Sequence, residues 1–143
     1  MRAGWISLLL LLLLLLGGCP LGTTGGAGEC DVDADCSGDV CARDGFCHSA
    51  GSVRAVRVTW TVNGMPASAA ACTSAPDLAI YFSGKAAGDD PLGFAPVPCE
   101  TGQFVIDKLP TSYSMVELGR DGAGFPDVKS ISSSNVVTFD LRL

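Results

Sequence analysis

Histidine is almost absent from this sequence: His48 stands alone, directly after Cys47. A hydroxyl or thiol nucleophile needs a neighbouring general base. With one imidazole and no G-x-S-x-G elbow, the chain lacks the parts of a Ser-His-Asp hydrolase, and we read it as non-enzymatic, with no catalytic residue assigned. Asp89 and Asp90, side by side before Pro91, read as a solvated loop tip and not as a glycosidase acid pair. Basic residues are scarce as well, nine Lys and Arg against fifteen Asp and Glu for a net charge of −6, a balance that argues against nucleic acid and other polyanions as partners. After Leu16 no apolar run approaches the ~20 residues needed to cross a bilayer as a helix.

What is present begins with Leu8 to Leu16, an unbroken leucine run preceded by Arg2 and the terminal amine. That order, a cationic start and a short apolar core, is the layout of a secretory signal. The segment from Trp5 to Leu16 is too short to be a spanning helix. Most of the mean hydropathy of +0.37 belongs to this run. The residues that follow, Leu16-Gly17-Gly18-Cys19, resemble the lipobox of bacterial lipoproteins. The resemblance implies cleavage between Gly18 and Cys19, a diacylglycerol thioether and an N-acyl chain such as palmitate on Cys19, and a bilayer anchor.

Cysteine parity supports the same assignment. The seven cysteines are 19, 30, 36, 41, 47, 72 and 99, and an odd count in an exported chain leaves a free or intermolecular thiol. An ordinary signal followed by a chance cysteine would carry that spare thiol, whereas lipidation of Cys19 leaves six to pair as disulfides. Pro20, not aspartate, follows Cys19; by resemblance to the enterobacterial sorting rule, this points to the outer membrane within the cell envelope. The organisation is then a signal peptide at 1–18, expected to be helical, the lipidated cysteine and a Gly-rich tether at 19–29, a disulfide-rich module at 30–47 and a β-rich domain at 53–143. As a coil, a tether of about ten residues spans somewhat under 20 Å.

The module carries Cys30, Cys36, Cys41 and Cys47 with five aspartates and almost no large apolar residue. It has no core of its own and needs covalent bridges. Four cysteines allow three pairings; Cys30 with Cys41 and Cys36 with Cys47 is favoured because interleaved bridges staple both loops, without excluding the others. The spacing is wider than that of structural zinc sites, and an oxidising compartment favours disulfides. Asp33, Asp35, Ser37, Asp39 and Asp44 follow the donor order of an EF-hand-type calcium loop, with Gly38 at the sixth place. No helices flank the loop, and the bland alternative is that these aspartates cap turns and keep the module soluble. No resident cofactor is otherwise expected. The stretch CDVDADCSGDVCARDGFC resembles a small cysteine-rich module of bacterial lipoproteins and, more distantly, the Dickkopf-type region, which implies a spacer or contact element.

From Val53 onward, short runs alternate apolar and polar residues between glycine, proline and asparagine, the pattern of half-buried strands. Val56, Val58, Trp60 and Val62 are expected inward, with Asn63-Gly64 as a tight turn and one or two helical turns over 67–72. Leu78, Ile80 and Phe82 form a second inward face. Further strands are expected near 94–99, 103–108, 112–119, 128–132 and 136–143; the imperfect alternation of 112–119 leaves room for a bulge, and Val137, Phe139, Leu141 and Leu143 are expected inward. About seven short strands suit an antiparallel β-sandwich, with Cys72 and Cys99 bridged. The segment GQFVIDKLPTSY resembles the signature of transthyretin-like and carboxypeptidase-regulatory-like sandwiches, an immunoglobulin-like sandwich being the other architecture considered. Some prealbumin-like adhesin domains carry a Lys-Asn isopeptide bond; Asn135 and Glu117 are here, but the first strand offers Arg54 and Arg57 in place of a lysine.

The expected function is therefore structural or protein-interacting, at the envelope, with an envelope protein or a glycan as partner. The alternative is a carbohydrate- or peptide-binding module using the loops at 84–93 and 119–127. Trp60 is expected in the core and Tyr81 outward, as the better ligand contact.

Overall fold

The computed structural model describes residues 29–84, 90–120 and 127–143. The expected signal peptide, Cys19 and most of the expected tether lie outside the described residues.

The fold is mainly β. In the cysteine-rich segment a 3-10 turn, Asp33–Cys36, precedes two short strands, β1 (Val40–Cys41) and β2 (Cys47–His48), which pair antiparallel. A 3-10 turn at Ala50–Ser52 leads into β3 (Val53–Val62). There follow β4 (Met65–Pro66), β5 (Asp77–Gly84), β6 (Leu92–Pro98), β7 (Gln103–Pro110), β8 (Tyr113–Arg120), β9 (Asp127–Ser130) and β10 (Val136–Leu141). They form two four-stranded sheets, one of β10, β3, β4 and β7, the other in the order β6-β5-β8-β9.

The alternation of β3 sets the first sheet. Val56, Val58, Trp60 and Val62 are buried on one face, because successive side chains of a strand point to opposite sides. They meet Leu78, Ile80 and Phe82 of β5 and Val116 and Leu118 of β8 in a single core, joined by Val137, Phe139 and Leu141 of β10. Burying one such side chain stabilises by roughly 1.5–3 kcal/mol. Leu143 is only half-buried at the margin. Trp60 is 3% exposed, and its indole N–H donates to the Cys99 carbonyl at 2.7 Å. Asn63 and Gly64 both take positive φ, 51° and 77°, the requirement of the tight hairpin that brings Met65 opposite Val62.

One detail departs from the sequence expectation, and two others sharpen it. The last strand, β10, pairs parallel to β3, Val137 opposite Val58 and Phe139 opposite Trp60, so the sandwich is antiparallel with one parallel pair; a strand that returns by way of the other sheet can join the free edge of β3 in either direction. The stretch 67–72 makes one of the helical turns expected there, closed by the Cys72 N–H to the Ser68 carbonyl at 2.9 Å, and goes no further. Its chain is tied instead by the Cys72–Cys99 disulfide. Bulges break the ladders at three places. The one in β8 leaves Ser114 between Tyr113, opposite Gly84, and Met115, opposite Ser83, within the stretch of imperfect alternation. The one in β7 places Asp107 and Lys108 opposite a single residue of β3.

The margins of the sandwich are closed by side chains. Phe82, Phe94 and Phe104 cluster with centroids 5.1 to 6.4 Å apart where β6 and β7 face each other. Lys129 of β9 donates to the Thr138 carbonyl of β10 at 2.7 Å and lies 5.0 Å from the Phe139 ring centroid. Pro96 and Pro98 in β6 withhold N–H groups from an edge strand, which discourages further strand addition.

Candidate functional site

The cysteine-rich segment is a knot. Cys30 is bridged to Cys41 and Cys36 to Cys47, the interleaved pairing, and the Cys30 N–H donates to the Gly45 carbonyl at 2.8 Å while Glu29 bridges Phe46. With Cys72–Cys99, the three disulfides pair six of the seven cysteines in the sequence.

The β7 bulge docks this knot on the sandwich. Lys108 takes φ 50°, which turns its side chain and that of Asp107 out of the ladder. Lys108 Nζ donates to both Asp33 oxygens, at 2.6 and 2.8 Å. Asp107 receives the Arg43 guanidinium, Nε at 2.8 Å and a second bond from Nη2. The Arg43 N–H also donates to the Lys108 carbonyl at 3.1 Å. Two ion pairs of opposite sense thus face each other across the junction. The Lys108 hydrogen bond, helped by the Cys41 N–H, holds Asp33 below the ordinary carboxylate range, and the Arg43 hydrogen bond does the same for Asp107.

The five candidate calcium donors are engaged separately. Asp33 serves Lys108 and the Cys41 N–H. Asp35 accepts the N–H groups of Asp31 and Val32 through one oxygen, which lowers its pKa. Asp44 accepts the Phe46 N–H and pairs with His48 Nε2 at 2.8 Å. Ser37 and Asp39 are exposed. Among the described residues, the group of ligand atoms gathered within 4.8 Å is the sulfurs of Cys30, Cys36 and Cys41, all of them bridged. The loop fits turn capping, with its carboxylates spent on local N–H groups, better than it fits a cation. Among the described residues, the hydrogen-bond partner of the His48 ring is the Asp44 carboxylate.

Two openings flank the junction. One, of about 620 Å³, is lined by Val32, Asp33, Arg43, Gly45 and Lys108 among others. The second, of about 410 Å³, lies between Asp44 and Phe46 of the knot and Pro91, Leu92, Ser112 and Tyr113 of the sandwich. Tyr81 borders neither. It lies over Gly93 on the neighbouring strand, where a Cβ would come within 2.6 Å of the Tyr81 ring. Its half-buried ring covers a glycine of the sheet. Of the loops proposed for ligand binding, 85–89 and 121–126 lie outside the described residues, Asp89 among them; Asp90 accepts the Tyr113 hydroxyl through its carbonyl at 3.2 Å.

Asn135 accepts a hydrogen bond from Arg54 Nη1 at 3.3 Å, and Arg54 Nη2 donates to the Tyr113 carbonyl at 2.6 Å. The junction itself, Arg43–Asp107 and Asp33–Lys108, was not foreseen from the sequence. The one available signal was the pair of adjacent opposite charges, Asp107-Lys108, in a strand whose other residues alternate.

The chain matches no protein-family model, no curated protein and no solved structure.

Proposed function

We propose that this chain is a lipid-anchored protein of the bacterial cell envelope, non-enzymatic, which holds a rigid knot-and-sandwich unit at a membrane for a structural or protein-interaction role. The observation that carries the reading is the disulfide count. Six cysteines are consumed in three bridges, so Cys19, the seventh, has no cysteine left to pair with inside the chain. It stands directly after Leu16-Gly17-Gly18, where a lipobox has its acylated residue. Disulfides also belong to an exported chain. Pro20 favours the outer membrane, as in the sorting rule it resembles.

The anchor reading needs no cofactor beyond the acyl groups on Cys19, and the acidic chain favours partners other than nucleic acid. An envelope protein or a glycan is the class of partner proposed. The opening between Phe46 and Leu92 favours a second reading, a peptide- or carbohydrate-binding module, in which that junction and not Tyr81 would take the ligand.

The test is Cys19→Ser expressed in a bacterial host and followed by mass spectrometry and membrane fractionation. The wild-type chain is expected as a mature form that begins at Cys19 with acyl mass added, in the membrane fraction. The variant is expected uncleaved or unacylated. Acylation of the variant equal to wild type would overturn the proposal.

A further inference from the structure

Two of the large apolar side chains that stand exposed among the described residues belong to the knot, Val32 at 56% and Phe46 at 43%. Both flank the place where the chain arrives from its N-terminal side. Glu29 is bridged to Phe46 and Cys30 is hydrogen-bonded to Gly45. Val32 lines the opening on one side of this pairing, and Phe46 lines the other with the exposed Pro91 and the half-buried Leu92.

We propose that the end of the knot at which the chain arrives rests on the bilayer that carries the Cys19 anchor, with Phe46 and Val32, on either side of the Glu29–Phe46 pairing, at the headgroup level. The proposal deepens the anchor reading and rests on it. Nine residues, 20–28, lie between Cys19 and Glu29, so Phe46, bridged to Glu29, lies within about 40 Å of the anchored cysteine even at full extension. Tethering at that range makes a weak interfacial contact intramolecular, with an effective concentration on the order of millimolar. The disulfides pre-form the face, so little ordering entropy opposes the contact.

Charge selects the lipid. Arg43 and Lys108, the cations of the junction, are engaged by Asp107 and Asp33, while Glu29, Asp31 and Asp39 are exposed. Such a face is repelled by anionic headgroups and complements the ammonium of a zwitterionic ethanolamine headgroup.

The experiment uses the mature acylated chain in vesicles of phosphatidylethanolamine and phosphatidylcholine, with and without bromine on the acyl chains. Tryptophan is introduced as Phe46→Trp, as Val32→Trp, and as a control Met65→Trp. Met65 is exposed in the hairpin at the far end of β3, roughly 30 Å along that strand from the knot. Trp60, buried in the core, is common to all three. An apolar side chain at the boundary of headgroup and acyl chain sits within reach of the bromines, so F46W and V32W are expected to lose about half of their added fluorescence, and M65W none beyond wild type. Quenching of F46W and V32W no greater than that of M65W, in a chain shown by mass to be acylated, overturns the membrane contact alone. A blue shift that follows protein concentration and not bromine assigns the face to a second copy and overturns it too. A mature chain without acyl mass overturns the anchor reading and this proposal with it.

Discussion

Arg54 ties three strand ends of the sandwich together through one side chain. It lies on the inward side of β3, at the end of the core, and ties Tyr113 at the start of β8 to Asn135 just before β10. Partial burial pushes its pKa below the ordinary guanidinium range, and its Nε is buried with no hydrogen-bond partner among the described residues. The two bonds it makes to oxygen therefore have to offset a desolvation cost. Arg54→Ala leaves the Tyr113 carbonyl without this donor and opens space at the end of the core. We expect a loss of about 1–3 kcal/mol in unfolding free energy, read from the urea midpoint at unchanged m-value. A midpoint equal to wild type would show that solvent replaces the guanidinium without cost.

Among the elements, the β7 bulge joins the two parts of the molecule. Its ion pairs lie at the surface, so they are screened by salt and each contributes modestly. Asp33 and Asp107 both have folded pKa values depressed below 3.8. Depressed carboxylates contribute stability that is complete above the unfolded value and fades as pH falls through the folded one. Docking is therefore expected at full strength above about pH 4 and weakened progressively below it. Amide exchange of Arg43, whose N–H is bonded to the Lys108 carbonyl, measures this. Its protection should fall in acid, or in molar salt, while amides of β3 and β5 stay protected. Asp107→Asn should reproduce the loss of protection at neutral pH and flatten its pH dependence. A variant as protected as wild type would mean that the backbone bond alone holds the junction.

At the scale of the whole molecule, the two parts persist for different reasons. The sandwich has a core of buried residues drawn from both sheets, and the knot has bridges in place of a core. The Cys72–Cys99 bridge closes a loop with a sequence separation of 27, for which the chain-entropy account predicts roughly 3–4 kcal/mol. Replacing both cysteines by alanine should lower the unfolding free energy by about that amount while the far-ultraviolet signature of the sheets survives. Treating the intact chain with a dithiol reductant should first release the knot, seen as rapid proteolysis around 30–47, with the sandwich resistant. Simultaneous loss of both would show that the sandwich depends on the docked knot.

Much of this architecture was legible in residue order. The alternation of Val56, Val58, Trp60 and Val62 needs only the two-residue period of a strand to name the core face, and Asn63-Gly64 names its turn because few other pairs tolerate two positive φ angles. Cysteine parity, a count, singled out Cys19. Tertiary contacts set the rest. The place of β10 depends on which edge of β3 is open once β7 and β4 have taken the other, and its direction on the path by which the chain returns from the second sheet. The role of Tyr81 depends on the register that puts Gly93 opposite it. The calcium-like order of aspartates describes spacing along the chain, but coordination requires oxygens converging in space, and the disulfides together with the nearby N–H groups turn those carboxylates apart. The docking of the knot joins residues 64 and 75 positions apart through a bulge with no local signature beyond two adjacent charges. Periodicity and parity are properties of the chain read in order, whereas convergence of distant side chains is a property of the folded packing.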